Sequence, residues 1–154
     1  MSSALAPIEH EELLTLIPHK GKMVLIDRIT ACDIAAWTVA SETVIAESNL
    51  FFDKTLSGIP NFVLFEFIAQ TISALTGIVT REKHLPVNNG FILSVSSLTF
   101  SCPLVKAHDC ITVNAVRTAE AGDVYSFEAT VSANGSTIGS AKLTVMEARA
   151  PSAQ

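Results

Sequence analysis

Apolar and polar residues alternate, or nearly so, along four segments in the second half of the chain: GFILSVSSLTFS (90–101), DCITVNAVRTA (109–119), DVYSFEATVSA (123–133) and STIGSAKLTVMEA (136–148). A period of two turns one side of a strand to a core and the other to solvent, so each segment predicts a β-strand. Pro103 to His108, Glu120 to Gly122 and the turn dipeptide Asn134-Gly135 join them, and the last three read as an antiparallel meander. Nearer the start, MVLIDRITACD (23–33) and WTVASETVIA (37–46) are β-branched, apolar runs parted by Asp33 to Ala36, the pattern of two more strands. Before them, Ile8 to Leu16 carries acids early and apolar residues at 8, 13, 14 and 16, then stops at Pro18, which predicts a short amphipathic helix.

One segment breaks the alternation. From Phe62 to about Arg81 the chain is apolar at nearly every position, after Gly58 and Pro60 as punctuation and Asn61 as a candidate N-cap. Such a run predicts a helix of about five turns with no wet side, which other elements must enclose. Phe62 to Val79 comes close to the ~18 apolar residues of a membrane span. Glu66, Gln70 and Thr71 interrupt it and no aromatic belt flanks it, so the expectation is a buried core helix and no membrane. Two strands, one long helix and four strands predict an α+β fold: an antiparallel sheet of about five to six strands wrapped around one central helix. Residues 8–148 are expected to form that single domain, between flexible ends over 1–7 and 149–154.

Composition narrows the function classes. The formal charge of −5 is modest, and Lys20, Lys22, Arg28, Lys54, Arg81, Lys83 and Lys106 are scattered, so no basic patch calls for nucleic acid. Cys32, Cys102 and Cys110 are odd in number and lack CxxC or Cys/His spacing, which leaves neither a disulfide framework nor a metal site. The start, MSSALAPIEHEE, has no basic and apolar leader pattern, and a cytoplasmic location is the expectation.

The acid in the apolar helix is the candidate chemistry. An ionised, unpaired carboxylate in such a place costs several kcal/mol, of order 2 to 5 or more. Glu66 is therefore either paired with a structural Arg or Lys, or placed where its discomfort is useful, as a general acid that keeps its proton toward neutral pH.

LIPHKGKMVLIDRI (16–29), FFDKTLSGIP (51–60), FEFIAQTISALTG (65–77) and SVSSLTFSCPLVKAHD (94–109) follow one another along most of the chain. In order and spacing they resemble the motifs LLPHRxPFLLVDRV, FFxGHFPGxP, EAMAQAxG and xKARFRRPVxPGD of the hotdog-fold 3-hydroxyacyl-ACP dehydratases. The resemblance covers about Leu13 to Val145. The loop after Pro60 is shorter than in the housekeeping enzymes and, with the PHKGKMVLIDR start, looks more like the branch attached to aryl-polyene and pigment pathways.

The resemblance implies a β-hydroxyacyl thioester as substrate, carried on acyl carrier protein or CoA, no cofactor, and a dimer in which two chains share each acyl tunnel. A His removes the α-proton and a helix acid protonates the departing hydroxyl. Glu66 falls on the acid position, with Gln70 one turn on, on the same side, as a substrate-binding candidate within hydrogen-bonding range of whatever Glu66 holds. Gly58 falls on the last Gly of the loop motif, where a bare backbone admits a thioester carbonyl, and Pro60 and Phe62 follow as further substrate-binding candidates. The family's His position holds Thr55, the Gly before it Lys54, and the Pro beyond it Ser57. A neutral hydroxyl cannot take a proton from carbon near pH 7, so the usual pair is incomplete. His19, in the PHKG turn, ranks first as a substitute, ahead of His10, His84, His108 and Lys54. Three functions stay open. The first is a dehydratase-like subunit, as homodimer or as heterodimer with a His-bearing paralogue. The others are a non-catalytic, carrier-docking partner and an acyl thioesterase.

Overall fold

The computed structural model describes residues 7–85 and 90–147, so the expected flexible ends fall, apart from Pro7, outside the described residues. In chain order the elements are α1 (His10–Leu13), β1 (Arg28–Asp33), β2 (Thr38–Val44), β3 (Gly58–Pro60), α2 (Leu64–Glu82), β4 (Gly90–Phe100), β5 (Leu104–Lys106), β6 (Cys110–Ala121), β7 (Val124–Ala133) and β8 (Ser136–Glu147). Six strands form one antiparallel sheet in the order β1-β2-β6-β7-β8-β4, while β3 and β5 make a separate pair. This is the α+β hotdog arrangement of sheet and central helix.

The alternation that predicted the strands is what fills the core. Ile111, Val113 and Ala115 of β6, Phe127, Ala129 and Val131 of β7, and Ala141 and Leu143 of β8 all turn to the concave side and are buried. They meet Leu64, Phe67, Ile68, Leu75 and Ile78 of α2. A buried hydrogen bond of 2.7 Å between Ser41 Oγ and Thr71 Oγ1 ties the helix to β2. Asn134 and Gly135 turn β7 into β8 with φ of 51° and 88°, the left-handed pair that a two-residue hairpin loop needs.

Several expectations need correction. The first helix is four residues, not nine, because Ile8 pairs with Ile29 in an isolated bridge instead of joining it. Asn61 does not cap α2: its side chain donates to Cys102 O at 2.9 Å and its amide to Pro103 O at 3.0 Å, and a 3₁₀ turn over Asn61–Val63 leads into the helix. The stretch from Pro103 to His108, read as a connection, contains β5, whose three residues are too few to show a period.

Most of α2 is buried, yet the sheet does not enclose it. The helix packs on β1, β2, β6 and β7, and leaves Phe65, Glu66, Ala69, Ser73 and Thr76, one lengthwise stripe, only partly covered. The cause is dimensional: six strands at ~4.8 Å spacing span about 24 Å, against ~10 Å for one helix. The far strand β4 consequently exposes Ile92, Val95 and Leu98 on its concave side, and Phe91 and Leu93 of the same strand are exposed as well. It is the sheet edge, and its eleven residues, GFILSVSSLTF, include no charge and no proline.

Candidate active site

Gln70 assembles the site. It is fully buried, and its amide oxygen accepts the Leu25 N–H at 2.8 Å, while Nε2 donates to Met23 O at 2.7 Å and to Glu66 Oε1 at 3.1 Å. One side chain thus staples the Met23 to Leu25 backbone to α2 and fixes the carboxylate one turn earlier on the same side. The staple also brings the PHKG turn over the helix, and His19 Nε2 lies 3.2 Å from the same oxygen, Glu66 Oε1. His19 Nδ1 is buried with no hydrogen-bond partner. A proton there would be stranded, so we assign it to Nε2, which donates to Glu66.

Glu66 therefore has neither a structural Arg nor a structural Lys as its partner, and it is not sequestered in an apolar interior. Its side chain is 37 % exposed and that of His19 26 % exposed, because Glu66 stands on the uncovered stripe of α2 and His19, in the PHKG turn, lies over it. With Oε1 taken by two donors, Oε2 is the oxygen that can turn to a ligand.

The pair stands at one end of an elongated cavity of about 300 Å³. Ala69, Ile72, Ser73 and Thr76 form its helix wall, and Ile92, Val145 and Tyr125 line the sheet side. Small side chains at 69 and 73 keep the channel open along the helix. A second concavity, of about 330 Å³ on the outer surface of the sheet, is lined by Thr38, Ala40, Asn114, Val116 and Glu128 and contains no acid–base pair.

Of the predicted site residues, the structure brings Glu66, His19 and Gln70 together. Gln70 holds the other two in place, and its own polar atoms are already engaged. Gly58, Pro60 and Phe62 do not border the cavity. Phe62 is 69 % exposed instead of lining a tunnel. A Cβ on Gly58 would stand 2.3 Å from Val105 O, so its lack of a side chain serves the β3–β5 pairing, and its N–H is engaged by Asp53 O at 3.2 Å. Gly58→Ala is accordingly expected to cost about 1–3 kcal/mol of stability, read as a lower urea midpoint; a role in substrate approach alone would leave that midpoint unchanged and raise KM.

Thr55 is exposed on a turn in which Asp53 Oδ1 accepts the Thr55 and Leu56 N–H groups at 2.8 and 3.1 Å, away from the cavity of its own chain. Tyr125, Ser73 and Thr76 were not singled out from the sequence. Tyr125 falls on the inward phase of its strand, but a core position and a cavity wall have the same alternation. Cys32 is a core thiol whose pKa is pushed up to about 11 by burial and, second, by Asp33. It has no part in this cavity.

The model of the ApeP-like family, described as ApeP dehydratase, matches residues 11–154. A 3-hydroxyacyl-[acyl-carrier-protein] dehydratase FabZ from Sinorhizobium fredii is 23 % identical over 149 residues, which cover 94 % of this chain and 93 % of that protein. Among solved structures, the dehydratase heterocomplex ApeI:P from Xenorhabdus doucetiae superposes with a TM-score of 0.81 at 16 % identity, over 89 % of this chain and 91 % of the matched one. A hypothetical thioesterase from Streptococcus pneumoniae with coenzyme A gives a TM-score of 0.57 at 13 % identity, over 73 % of this chain and 80 % of its own, and so shares the fold.

Proposed function

Since this chain belongs to the ApeP-like dehydratase family, we propose that it is one subunit of a 3-hydroxyacyl-ACP dehydratase of aryl-polyene type, whose active site is completed by a second, His-bearing chain. The observation that carries the reading is the contact between His19 and Glu66 at the head of a cavity that the chain itself leaves open along one side.

Glu66 is the general acid of the proposed reaction. The partner's base takes the α-proton, the electrons of that C–H bond form the new double bond, the β C–O bond breaks, and the hydroxyl leaves as water with the proton from Glu66. His19 fits the role of proton partner to Glu66. With Nε2 on the carboxylate and Nδ1 buried, neither ring nitrogen is free to face an α-carbon. The base must then come from elsewhere, and Thr55 cannot supply it to a second copy of this chain. That argues for a heterodimer over a homodimer.

The exposed, uncharged edge of β4 and the open stripe of α2 are the surfaces on which the second chain would sit. FabZ relatives act, by name, on substrates held by acyl carrier protein, and the same carrier is proposed here. The test is recovery of the chain with its bound subunit from the native host, followed by a dehydration assay on a 3-hydroxyacyl-ACP. The isolated chain is expected to be inactive and the recovered assembly active; full activity of the chain alone would overturn the shared site.

A further inference from the structure

The cavity has a second end, and its construction differs from the first. Asn61, at the start of the α2 segment, is hydrogen-bonded to Cys102 and Pro103, just beyond the last residue of β4. β4 therefore runs back along the helix, and its first residues, Gly90 to Ile92, lie toward the helix C-terminus. Ile92 pairs with Val145, and Val145 with Tyr125, in one cross-strand row on the concave side. This row lines the cavity across from Thr76, which is about 15 Å along the helix axis from Glu66.

Tyr125 at that end is held as a fixed plate. Its ring stacks on Trp37 with centroids 5.8 Å apart and planes 20° from parallel. The Arg117 guanidinium lies 3.7 Å from the centroid of Trp37 and 5.4 Å from that of Tyr125. Arg117 is itself anchored: its side chain is only 17 % exposed and its Nη1 meets Glu120 Oε2 at 3.4 Å. The Arg117 N–H donates to Trp37 O at 3.0 Å, and Trp37 is accommodated at a φ of 53°, a conformation a bulky residue adopts only when its surroundings impose it. Two planar groups, Trp37 from the β1–β2 turn and Arg117 from β6, thus hold the Tyr125 ring of β7 in place at this end of the groove. The Tyr125 hydroxyl keeps its proton more firmly than usual, chiefly through burial, then through Glu147 and Glu120 against the opposing Arg117, so it remains a donor.

We infer that Tyr125, braced by Trp37 and Arg117, is a specificity-determining residue that stacks on a flat, conjugated or aromatic segment at the far end of the acyl chain. A saturated chain is flexible and has no π system, so it gains only ordinary apolar contact there, whereas a planar tail gains the offset or edge contact that aromatic pairs favour. The inference rests on the proposed reading of Glu66 as the head of an acyl groove.

The test is equilibrium binding of two pantetheine thioethers of equal length, one with a phenyl-dienyl tail and one with an n-alkyl tail, to the assembly recovered from the host. The conjugated tail is expected to bind roughly three- to tenfold tighter. Tyr125→Leu should bring the two affinities within about twofold of one another by removing only the stacking gain, and Tyr125→Phe should keep the preference. Equal binding of both tails to the unaltered protein, or a preference that survives Tyr125→Leu, overturns the inference and leaves the groove reading standing. Failure of both tails to bind overturns the groove reading and this inference with it.

Discussion

Glu66→Gln is expected to lower turnover of the assembled dehydratase by at least ~10²-fold, the ordinary worth of a positioned general acid, while the thermal midpoint stays where it was. The substitution is nearly isosteric. Its amide oxygen can still accept from Gln70 Nε2 and His19 Nε2, the two donors that now converge on Oε1 from 3.1 and 3.2 Å. What it cannot do is deliver a proton and take it back. The measurement is the rise in enoyl-thioester absorbance after mixing with 3-hydroxyacyl-ACP. A loss of no more than about twofold, far below what a missing acid costs, would mean that the chain serves as a non-catalytic partner and that Glu66 is a structural acid.

Val95→Lys is expected to take the assembly apart without unfolding the chain. Val95 is on the concave side of β4, paired with Leu143 of β8, and is exposed only because nothing covers the sheet edge. In the single chain a lysine there reaches water at little cost, as long charged side chains on edge strands commonly do. Under a second subunit it would be a buried charge without a partner, a penalty of about 3 kcal/mol or more, which corresponds to at least roughly a hundredfold weaker association. Sedimentation of the assembly against concentration reads this directly, with circular dichroism to confirm that the variant is folded. An unchanged association constant would exclude β4 as the joint between subunits.

Some parts of this structure could be read from the residues and others could not, and the division has physical causes. The β6–β7–β8 meander was legible because its alternation runs ten residues or more per strand and its turn dipeptide, Asn134-Gly135, has a single conformational use. β3 and β5 were not, since three-residue strands have no period to detect. The nearly unbroken apolar run of α2 was read as a helix enclosed on all sides. In fact Phe62 and Phe65 are apolar on a side that the sheet does not reach, and a residue that waits for another chain has the same chemistry as one in the core. The same ambiguity hid the exposure of β4, which was legible as a strand from its alternation although nearly all of its residues are exposed.

At the site, Glu66, His19 and Gln70 could be picked out because they break an apolar helix or fall in a Pro-His turn. Their mutual contacts could not be foreseen. They depend on Gln70 stapling a loop 45 to 47 residues away in sequence. Gly58 looked like bare backbone that admits a substrate carbonyl and is a close-packing glycine, a distinction that requires knowing that Val105 O lies where a Cβ would go.

Trp37 is the one tryptophan in the chain, and it sits in stacking contact with a ring that lines the cavity. The protein therefore carries a built-in optical probe beside the part of the cavity away from its acid. Indole emission will respond to whatever enters that end of the groove, free of background from any other tryptophan in the same polypeptide, and can be followed on a stopped-flow timescale with no label attached.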